Sequence, residues 1–298
     1  MKKNRNNTTI KTQFIVVLMI GALLSCDTER SPNSGVEGLS DETPLNLKIE
    51  GWKLIWSDEF DTTGAVDSTK WNYRIWKPAR VNEELQAYTN RIENSEVKNG
   101  FLTVTALNDS SGGSRYTSAR LVTDGKFKFT YGKVEVRAMI PGGIGSWPAI
   151  WMLGSNIHEV GWPDCGEIDI MEYVGFNPNV IHGTAHAKNY YWKIDKQQTK
   201  FIPVSGVETE YHRYGIEWYE DQIDFLFDGE IYFTAVPQGD GGGGDTNDLD
   251  AWPFSLPHFI ILNVAVGGGW GGQKGIDESA FPMEMKVDYV RVYQEDNT

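Results

Sequence analysis

Apolar and polar residues alternate along much of the chain after residue 50, in short segments separated by glycine-rich turns. The alternation is clearest at residues 133–137, where valines stand between charged residues, as in a strand with one buried face. An Asp228–Gly229 pair between two apolar segments predicts a tight hairpin. No useful length of sequence has a helical period, so we predict an all-β protein, a two-sheet antiparallel β-sandwich. The predicted strands cover residues 101–107, 126–131, 133–139, 149–153, 167–173, 214–218, 223–227, 231–233, 259–266 and 285–293.

One apolar segment, GEIDIMEYVG at residues 166–175, contains three carboxylates. Side chains alternate along a strand, so Glu167 and Asp169 share a face, but the next position on that face is Met171. One extra residue, a β-bulge, returns Glu172 to the carboxylate face. Two glutamates that lean toward each other across such a segment can approach the roughly 5–5.5 Å spacing of a retaining glycosidase pair. The pattern therefore favours sugar chemistry.

A solvated surface and a calcium site are the two alternatives for these carboxylates. A string of this kind by itself is more often a solvated strand or helix face, although the apolar neighbours here argue against full solvation. Asp and Glu also bind calcium, but calcium ligands usually come from a loop that wraps the ion. The tryptophan-rich segment directly before the carboxylates favours a carbohydrate site instead.

Eight sequence blocks in this order resemble glycoside hydrolase family sixteen, and within it the bacterial laminarinase type. The resemblance spans residues from about 50 to 295, and it implies a jelly roll with a concave substrate cleft. The blocks are WSDEF at 56–60, NEELQAYT at 82–89, YGKVEVRA at 131–138, GSWPAIWML at 145–153, WPDCGEIDIMEYVG at 162–175, HGTAHA at 182–187, FIILNVAVGGGWGG at 259–272 and VDYVRVYQ at 287–294.

The resemblance implies retaining hydrolysis of internal β-1,3-glucosidic bonds. Glu167 would be the nucleophile, Glu172 the general acid and base, and Asp169 the residue that holds the nucleophile. Sibling enzymes that act on mixed-linkage β-1,3-1,4-glucan, agarose or carrageenan share the carboxylate spacing, so they stay as alternatives. A non-catalytic glycan-binding module is a further alternative, but it would not need Glu167 and Glu172.

Tryptophan is abundant, with 11 residues in the chain, and an indole offers a flat apolar surface to a sugar ring. Trp147 and Trp151 lie in a matched block just before the carboxylates, and Trp270 lies in the GGGWGG loop; we expect all three to contact substrate. We expect hydrogen bonds to sugar hydroxyls from three further residues of the matched regions: Asn82, Arg120 and His186. We interpret four other tryptophans as structural: Trp52, Trp71, Trp76 and Trp218.

A calcium ion on the convex face is implied only by the resemblance. The matching positions are Glu59, the backbone carbonyl of Gly100, and Asp288. Such an ion would tie the first and last strands together. The catalytic carboxylates themselves require no cofactor.

The N-terminus predicts export. Residues 1–25 have a basic start, a short apolar segment and Ser25–Cys26 at its end, as in a bacterial lipoprotein signal. Lipidation of Cys26 is the favoured interpretation, and an ordinary secretory peptide is the alternative. Residues 26–48 are polar and read as a flexible tether, which leaves residues 49–298 as the catalytic domain. Cys165 is then the one remaining cysteine, and we expect a packed structural thiol.

Charge narrows the range of partners. The formal net charge is −14, and the first 25 residues contain only basic charges, so the rest of the chain is more acidic still. An acidic surface disfavours nucleic acid and anionic membranes, and it favours neutral glucans over sulfated polysaccharides. We therefore expect a monomer that binds β-glucan and touches the membrane only through its lipid, at the outer membrane or cell surface.

Overall fold

A computed structural model describes residues 49–111, 113–238 and 244–296. Within these residues strands dominate, and the helices are single short turns. The strands are β1 (Trp52–Asp58), β2 (Asn72–Tyr73), β3 (Gln86–Tyr88), β4 (Ser95–Lys98), β5 (Phe101–Asn108), β6 (Tyr116–Ser118), β7 (Arg120–Val122), β8 (Gly132–Met139), β9 (Ser146–Gly154), β10 (Glu167–Tyr173), β11 (Val180–His186), β12 (Gln198–Pro203), β13 (His212–Trp218), β14 (Ile223–Phe227), β15 (Glu230–Ala235), β16 (His258–Val266) and β17 (Met283–Glu295). The helical turns are Ile157–Val160, Trp192–Ile194, Pro253–Ser255, Gly268–Gly271 and Glu278–Ala280.

The strands form two sheets. The outer sheet has the order β15-β14-β13-β8-β17-β5-β6-β3, with β1 also on β17 and β4 also on β5. The second sheet, which we call the cleft sheet, has the order β12-β11-β10-β9-β16-β7-β2. Among the described strands, β3 and β6 pair in parallel and the other pairs are antiparallel. The predicted antiparallel sandwich is confirmed.

The core lies between the sheets and follows the side-chain alternation of each strand. On β8, Val134 and Val136 are fully buried and the residues between them are partly exposed, as the sequence pattern predicted. All of β16 is buried, because one face packs into the core and the other lies at the bottom of the cavity over the cleft sheet. Residues 260, 262, 264 and 266 lie in the core, and residues 259, 261, 263 and 265 line a cavity over the cleft sheet. Residues 259–266 of β16 are therefore apolar on both faces except at Asn263, which faces the cavity.

Most predicted strands are present, with ends within a few residues of the prediction. Residues 126–131 are an exception: they form turns, and Phe129 makes only a single bridge to His258. The predicted hairpin is confirmed, since Asp228 and Gly229 join β14 to β15 with φ angles of 51° and 92°. Short or polar strands escaped the prediction, among them β1–β4, β6, β7, β11 and β12.

The N-terminal segments 1–25 and 26–48, including Cys26, lie outside the described residues. Within the described part of the chain, no helix has the length and apolar character needed to cross a membrane. Cys165 is fully buried, and burial raises the pKa of its thiol to about 12. A thiol of this kind stays protonated, which confirms its interpretation as a packed structural residue.

Candidate active site

A β-bulge in β10 places three carboxylates on one face. The pairing of β10 with β9 shifts its register between Asp169 and Met171, and the pairing with β11 shifts between Asp169 and Glu172. Ile170 and Met171 consequently both pack into the core. Glu167, Asp169 and Glu172 all line the cavity on the opposite face. The bulge predicted from the spacing is present.

The strands on either side of β10 continue this face. On β9, the partners of Asp169 and Glu172 are Trp151 and Ala149, and Trp147 lies two residues further along the same face. On β11, the partners of Glu167 and Glu172 are His186 and His182. The carboxylates therefore lie between a strand with two indoles and a strand with two imidazoles.

Glu167 is held by an indole and lies beside an imidazole. Trp162 Nε1–H donates to Glu167 Oε2 at 2.9 Å. His186 Nε2 lies 3.8 Å from Glu167 Oε1 and 3.4 Å from Asp169 Oδ2. Burial lowers the pKa of His186 to about 4, so the ring is neutral and these contacts are not ion pairs. Sequence reasoning missed Trp162, although it stands in the matched block only five residues before Glu167.

Glu172 is held by the second indole. Trp147 Nε1–H donates to Glu172 Oε1 at 3.0 Å, which uses the edge of the ring. Trp151 Nε1–H donates instead to Asn263 Oδ1 at 2.7 Å, a residue on β16 that sequence reasoning did not single out. Both predicted tryptophans therefore lie in the site, and each fixes a polar side chain.

The carboxylates are electrostatically strained. Burial raises the pKa of Glu167 to about 8 and that of Glu172 to about 7, and it raises the pKa of Asp169 well above its usual value. Repulsion by Glu172 adds to the shift of Glu167, and repulsion by both glutamates adds to that of Asp169. Like charges this close do not all ionise at neutral pH, and a hydrogen bond between Asp169 and Glu167 adds to the raised pKa of Asp169.

Arg120 is sandwiched between two indoles. Its guanidinium carbon lies 4.4 Å from the ring centroids of both Trp76 and Trp151. The side chain is almost completely buried, and its positive charge lowers the pKa of Glu167 in opposition to burial. Trp76, which we interpreted as structural, stacks on Arg120 and also lines the cavity over the cleft sheet. Trp71 and Trp218 are fully buried, as predicted.

Two loops form the rim of the site. Asn82 lines the cavity, and its carbonyl accepts a hydrogen bond from Gly269 N at 2.8 Å, so the loop before β3 meets the glycine-rich turn. Trp270, on that turn, packs edge-on against Trp147 with ring centroids 5.6 Å apart. The cavity has a volume of about 490 Å³. Its lining includes Trp76, Asn82, Arg120, Trp147, Trp151, Trp162, Glu167, Asp169, Glu172, Trp192 and Asn263.

The two carboxylates expected to bind calcium form ion pairs with arginines instead. Glu59 forms a two-pronged ion pair with Arg291, with N–O distances of 3.0 and 2.8 Å. Asp288 accepts from Arg137 Nη1 at 2.6 Å, and Gly100 lies in the turn between β4 and β5. Each carboxylate is thus neutralised by an arginine of its own. As placed, this donor set does not fit a calcium ion.

Comparison with known proteins identifies the family. The sequence model of Glycosyl hydrolases family 16 matches residues 80–291. The chain belongs to this family. The resemblance found from the sequence blocks is confirmed, and a chain of family 16 is a glycoside hydrolase.

Individual relatives agree with this assignment. The chain is 43% identical to a β-glucanase of Rhodothermus marinus, over 95% of this chain and 94% of that protein. The solved laminarinase of R. marinus covers 83% of this chain and 98% of its own, at 46% identity and a TM-score of 0.78. SCLam, a non-specific endo-β-1,3(4)-glucanase of family 16, covers 83% of this chain and 93% of its own, at 42% identity and a TM-score of 0.76. The jelly roll implied by the resemblance is thereby confirmed.

Proposed function

We propose that the protein is a retaining endo-β-1,3-glucanase that hydrolyses laminarin-type β-glucans. The observation that carries this proposal is the bulged strand, which puts Glu167 and Glu172 on one cavity-lining face with Asp169 between them. Two carboxyl groups brought together in this way suit a covalent mechanism, because an inverting pair must leave room for a water molecule. A non-catalytic glycan-binding module has no use for these costly buried acids, so it is not favoured.

The reaction has two steps. In the first, Glu167 attacks the anomeric carbon while Glu172 donates its proton to the leaving oxygen, which gives a glycosyl-enzyme and a shortened glucan. In the second, Glu172, now a carboxylate, takes a proton from water, and the water oxygen displaces Glu167 from the anomeric carbon. Burial raises the pKa of Glu172 to about 7, so a substantial share of this carboxyl group carries the proton near neutral pH, as the first step requires.

Three neighbours support the nucleophile. Protonated Asp169 and the indole N–H of Trp162 both donate toward Glu167, and both lower the pKa of this otherwise disfavoured carboxylate. Neutral His186 lies against Asp169 and Glu167 and adds no charge to the site. These contacts favour ionised Glu167, the form that attacks, and they oppose the burial that raises its pKa to about 8.

The identity of the glucan follows from the relatives and from the charge of the chain. Laminarinases are among the most similar solved structures, and the acidic chain favours neutral glucans. A mixed-linkage β-1,3-1,4-glucanase is the second candidate, since SCLam is named as an endo-β-1,3(4)-glucanase.

A substrate panel tests this proposal. Purified protein is incubated with laminarin, lichenan, agarose and carrageenan, with Glu167→Gln as the inactive control. We expect the fastest release of reducing ends from laminarin. Faster hydrolysis of lichenan would favour the second candidate, and release from the galactans alone would contradict both.

Catalysis requires no cofactor in this scheme, because the carboxylates supply both the nucleophile and the acid. The resemblance alone suggests a structural calcium, and the arginine partners of Glu59 and Asp288 argue against it. We therefore expect EDTA to change neither the activity nor the melting temperature. A melting temperature that falls with EDTA and returns with calcium would contradict this expectation.

For the cellular location, we propose an exported monomer that is lipid-anchored at Cys26 in the cell envelope. The support is the sequence of residues 1–26 alone: a basic start, a short apolar segment and a cysteine at its end. Cys26→Ser is expected to release the protein from membranes, or block its processing, without changing the activity of the folded domain. Detergent-phase partitioning of this variant equal to that of the wild type would contradict the lipid anchor. Gel filtration of the purified protein measures its oligomeric state and so tests the proposed monomer.

A further inference from the structure

A row of aromatic side chains extends from Glu172 across the cleft sheet, on the side away from the cavity. On the cleft sheet, Glu172 pairs with His182 of β11, and His182 pairs with Phe201 of β12. Directly paired residues of adjacent strands point to the same face, so all three side chains share the face of the carboxylates. Because β12 is the edge strand, Phe201 ends the row at the border of the sheet.

Phe201 is unusually exposed for a phenylalanine. Its relative exposure is 62%, although β12 otherwise presents polar residues to solvent. A single exposed apolar residue by itself needs no explanation, but this one continues a packed aromatic wall. The His182 ring lies 5.7 Å from that of Phe201 and 4.9 Å from that of Trp270, and Trp270 packs against Trp147. The wall thus begins at the indole that holds Glu172.

His182 also carries an unused polar atom. Its Nε2 is buried and has no hydrogen-bond partner among the described residues. Burial lowers the pKa of the ring to about 4, so it is neutral and able to donate or accept a hydrogen bond according to its tautomer. The imidazole is therefore a neutral ring packed between those of Phe201 and Trp270, and the apolar ring faces of this row match the C–H groups of a sugar ring.

The wall formed by Trp147, Trp270, His182 and Phe201 has a position that determines which part of the glucan it contacts. The cavity of about 490 Å³ is lined by residues of β7, β9 and β16, but not by Trp270, His182 or Phe201. A chain that crosses the sheet over Glu172 leaves the cavity toward β11 and β12. Since Glu172 protonates the leaving oxygen, the sugars beyond it belong to the leaving group.

We propose that Trp270, His182 and Phe201 form a binding surface for the glucosyl units on the leaving side of the cleaved bond. This proposal rests on the proposed retaining mechanism and deepens it. The surface favours substrates that extend past the cleavage point, and it also holds an incoming glucan as an acceptor. In that transfer, the acceptor hydroxyl forms the new bond to the anomeric carbon, its proton passes to Glu172, and the bond to Glu167 breaks.

Two substrates separate this role from a structural one. An aryl β-laminaribioside carries no sugar on the leaving side, whereas laminarihexaose can place sugars on both sides. For Phe201→Ala we expect kcat/KM to fall about tenfold for laminarihexaose, as expected for the loss of one aromatic contact. For the aryl glycoside we expect a change of less than about twofold. The ratio of transglycosylation to hydrolysis at a fixed concentration of added laminaribiose is also expected to fall several-fold.

Matched variants complete the experiment. Phe201→Tyr keeps the ring and is expected to retain the wild-type preference for the longer substrate. Ile231→Ala removes another exposed apolar side chain, on β15 of the outer sheet, and is expected to change neither ratio. An equal effect of Phe201→Ala on both substrates, or no effect on either, would overturn the proposed surface while the enzyme stays active. Wild-type protein that cleaves neither substrate would overturn the proposed function itself.

Discussion

Two groups of carboxylates in this molecule have opposite electrostatic surroundings. Glu59 and Asp288 each lie against an arginine, at 2.8 and 2.6 Å. Glu167, Asp169 and Glu172 have no lysine or arginine within ion-pair distance in the described residues, and indole and imidazole groups surround them. Pairing removes most of the cost of a half-buried charge, whereas burial without a counter-ion raises the pKa.

The difference separates residues that stabilise the fold from residues that do chemistry. Glu59 and Asp288 hold the side chains of Arg291 and Arg137 in place, and so they stabilise the fold. The unpaired group keeps at least one proton and remains reactive, at a cost in folding free energy.

The largest contrast is expected between Glu167→Gln and Glu59→Gln. Loss of the nucleophile is expected to reduce laminarin hydrolysis by a factor of about 10³ or more, while glucan binding persists. Glu59→Gln is expected to leave the activity within a few-fold of wild type. It is expected to cost about 2 kcal/mol of stability, because Arg291 loses its partner. Initial rates, binding assays and thermal melts measure both. A Glu167→Gln enzyme with more than about a tenth of the wild-type rate contradicts the role of Glu167.

The loss of activity caused by Glu172→Gln is expected to depend on the leaving group of the substrate. Laminarin needs protonation of the leaving oxygen, so its hydrolysis is expected to fall about 10²–10⁴-fold. A dinitrophenyl β-glucoside leaves without that proton, so formation of the glycosyl-enzyme is expected to fall less than about tenfold. Single-turnover release of dinitrophenol measures this step. Equal losses on both substrates would remove Glu172 from the role of general acid.

Trp162→Phe is expected to affect the ionisation of the nucleophile. The variant loses the N–H that stabilises ionised Glu167, so the pKa of Glu167 rises and the acidic limb of kcat/KM moves to higher pH. A fall in kcat/KM of about tenfold is expected, the usual size for one hydrogen bond to a charged group. Trp71→Phe is the matched control, since Trp71 donates at 2.7 Å to Asp58, away from the site. An unshifted profile for Trp162→Phe would assign Trp162 to packing alone.

The smallest effect concerns stability and pH. Burial raises the pKa of Glu167 from 4.5 to about 8, so the folded state disfavours its ionised form. The penalty is absent below about pH 4.5, grows as the pH rises toward 8, and stays constant above it. Glu167→Gln is therefore expected to melt with the wild type at pH 4 and at least a few degrees above it at pH 9, since relief of even about 1 kcal/mol raises the melting temperature by about 2–4 °C in a domain of this size. If Glu167→Gln is less stable than the wild type at pH 9, the conclusion that ionised Glu167 destabilises the folded state is contradicted.

Much of the site was predictable from the sequence because its geometry is local. The bulge and the shared face of Glu167, Asp169 and Glu172 follow from side-chain alternation within one strand. Trp147 and Trp151 have the spacing of one strand face and lie in a matched block, and they were predicted for the same reason. The structure confirms their placement, and their roles in catalysis and binding stay predictions.

What the sequence did not reveal depends on contacts between distant segments. Trp76 reaches the cavity because Arg120, on a strand of only three residues, stacks against it. Arginine partners for Glu59 and Asp288 come from β17 and β8, far away along the chain. Phe201 lies on an edge strand whose polar residues hide its alternation. In each case the pairing of strands decides the contact.

Proton NMR of the first products from laminarin distinguishes retention from inversion at the anomeric carbon. If Glu167 forms a covalent glycosyl-enzyme and Glu172 returns the proton, the configuration is inverted twice. We therefore predict that β-anomer appears first and that α-anomer grows only through mutarotation. Initial release of α-anomer would contradict the mechanism and the paired roles of Glu167 and Glu172.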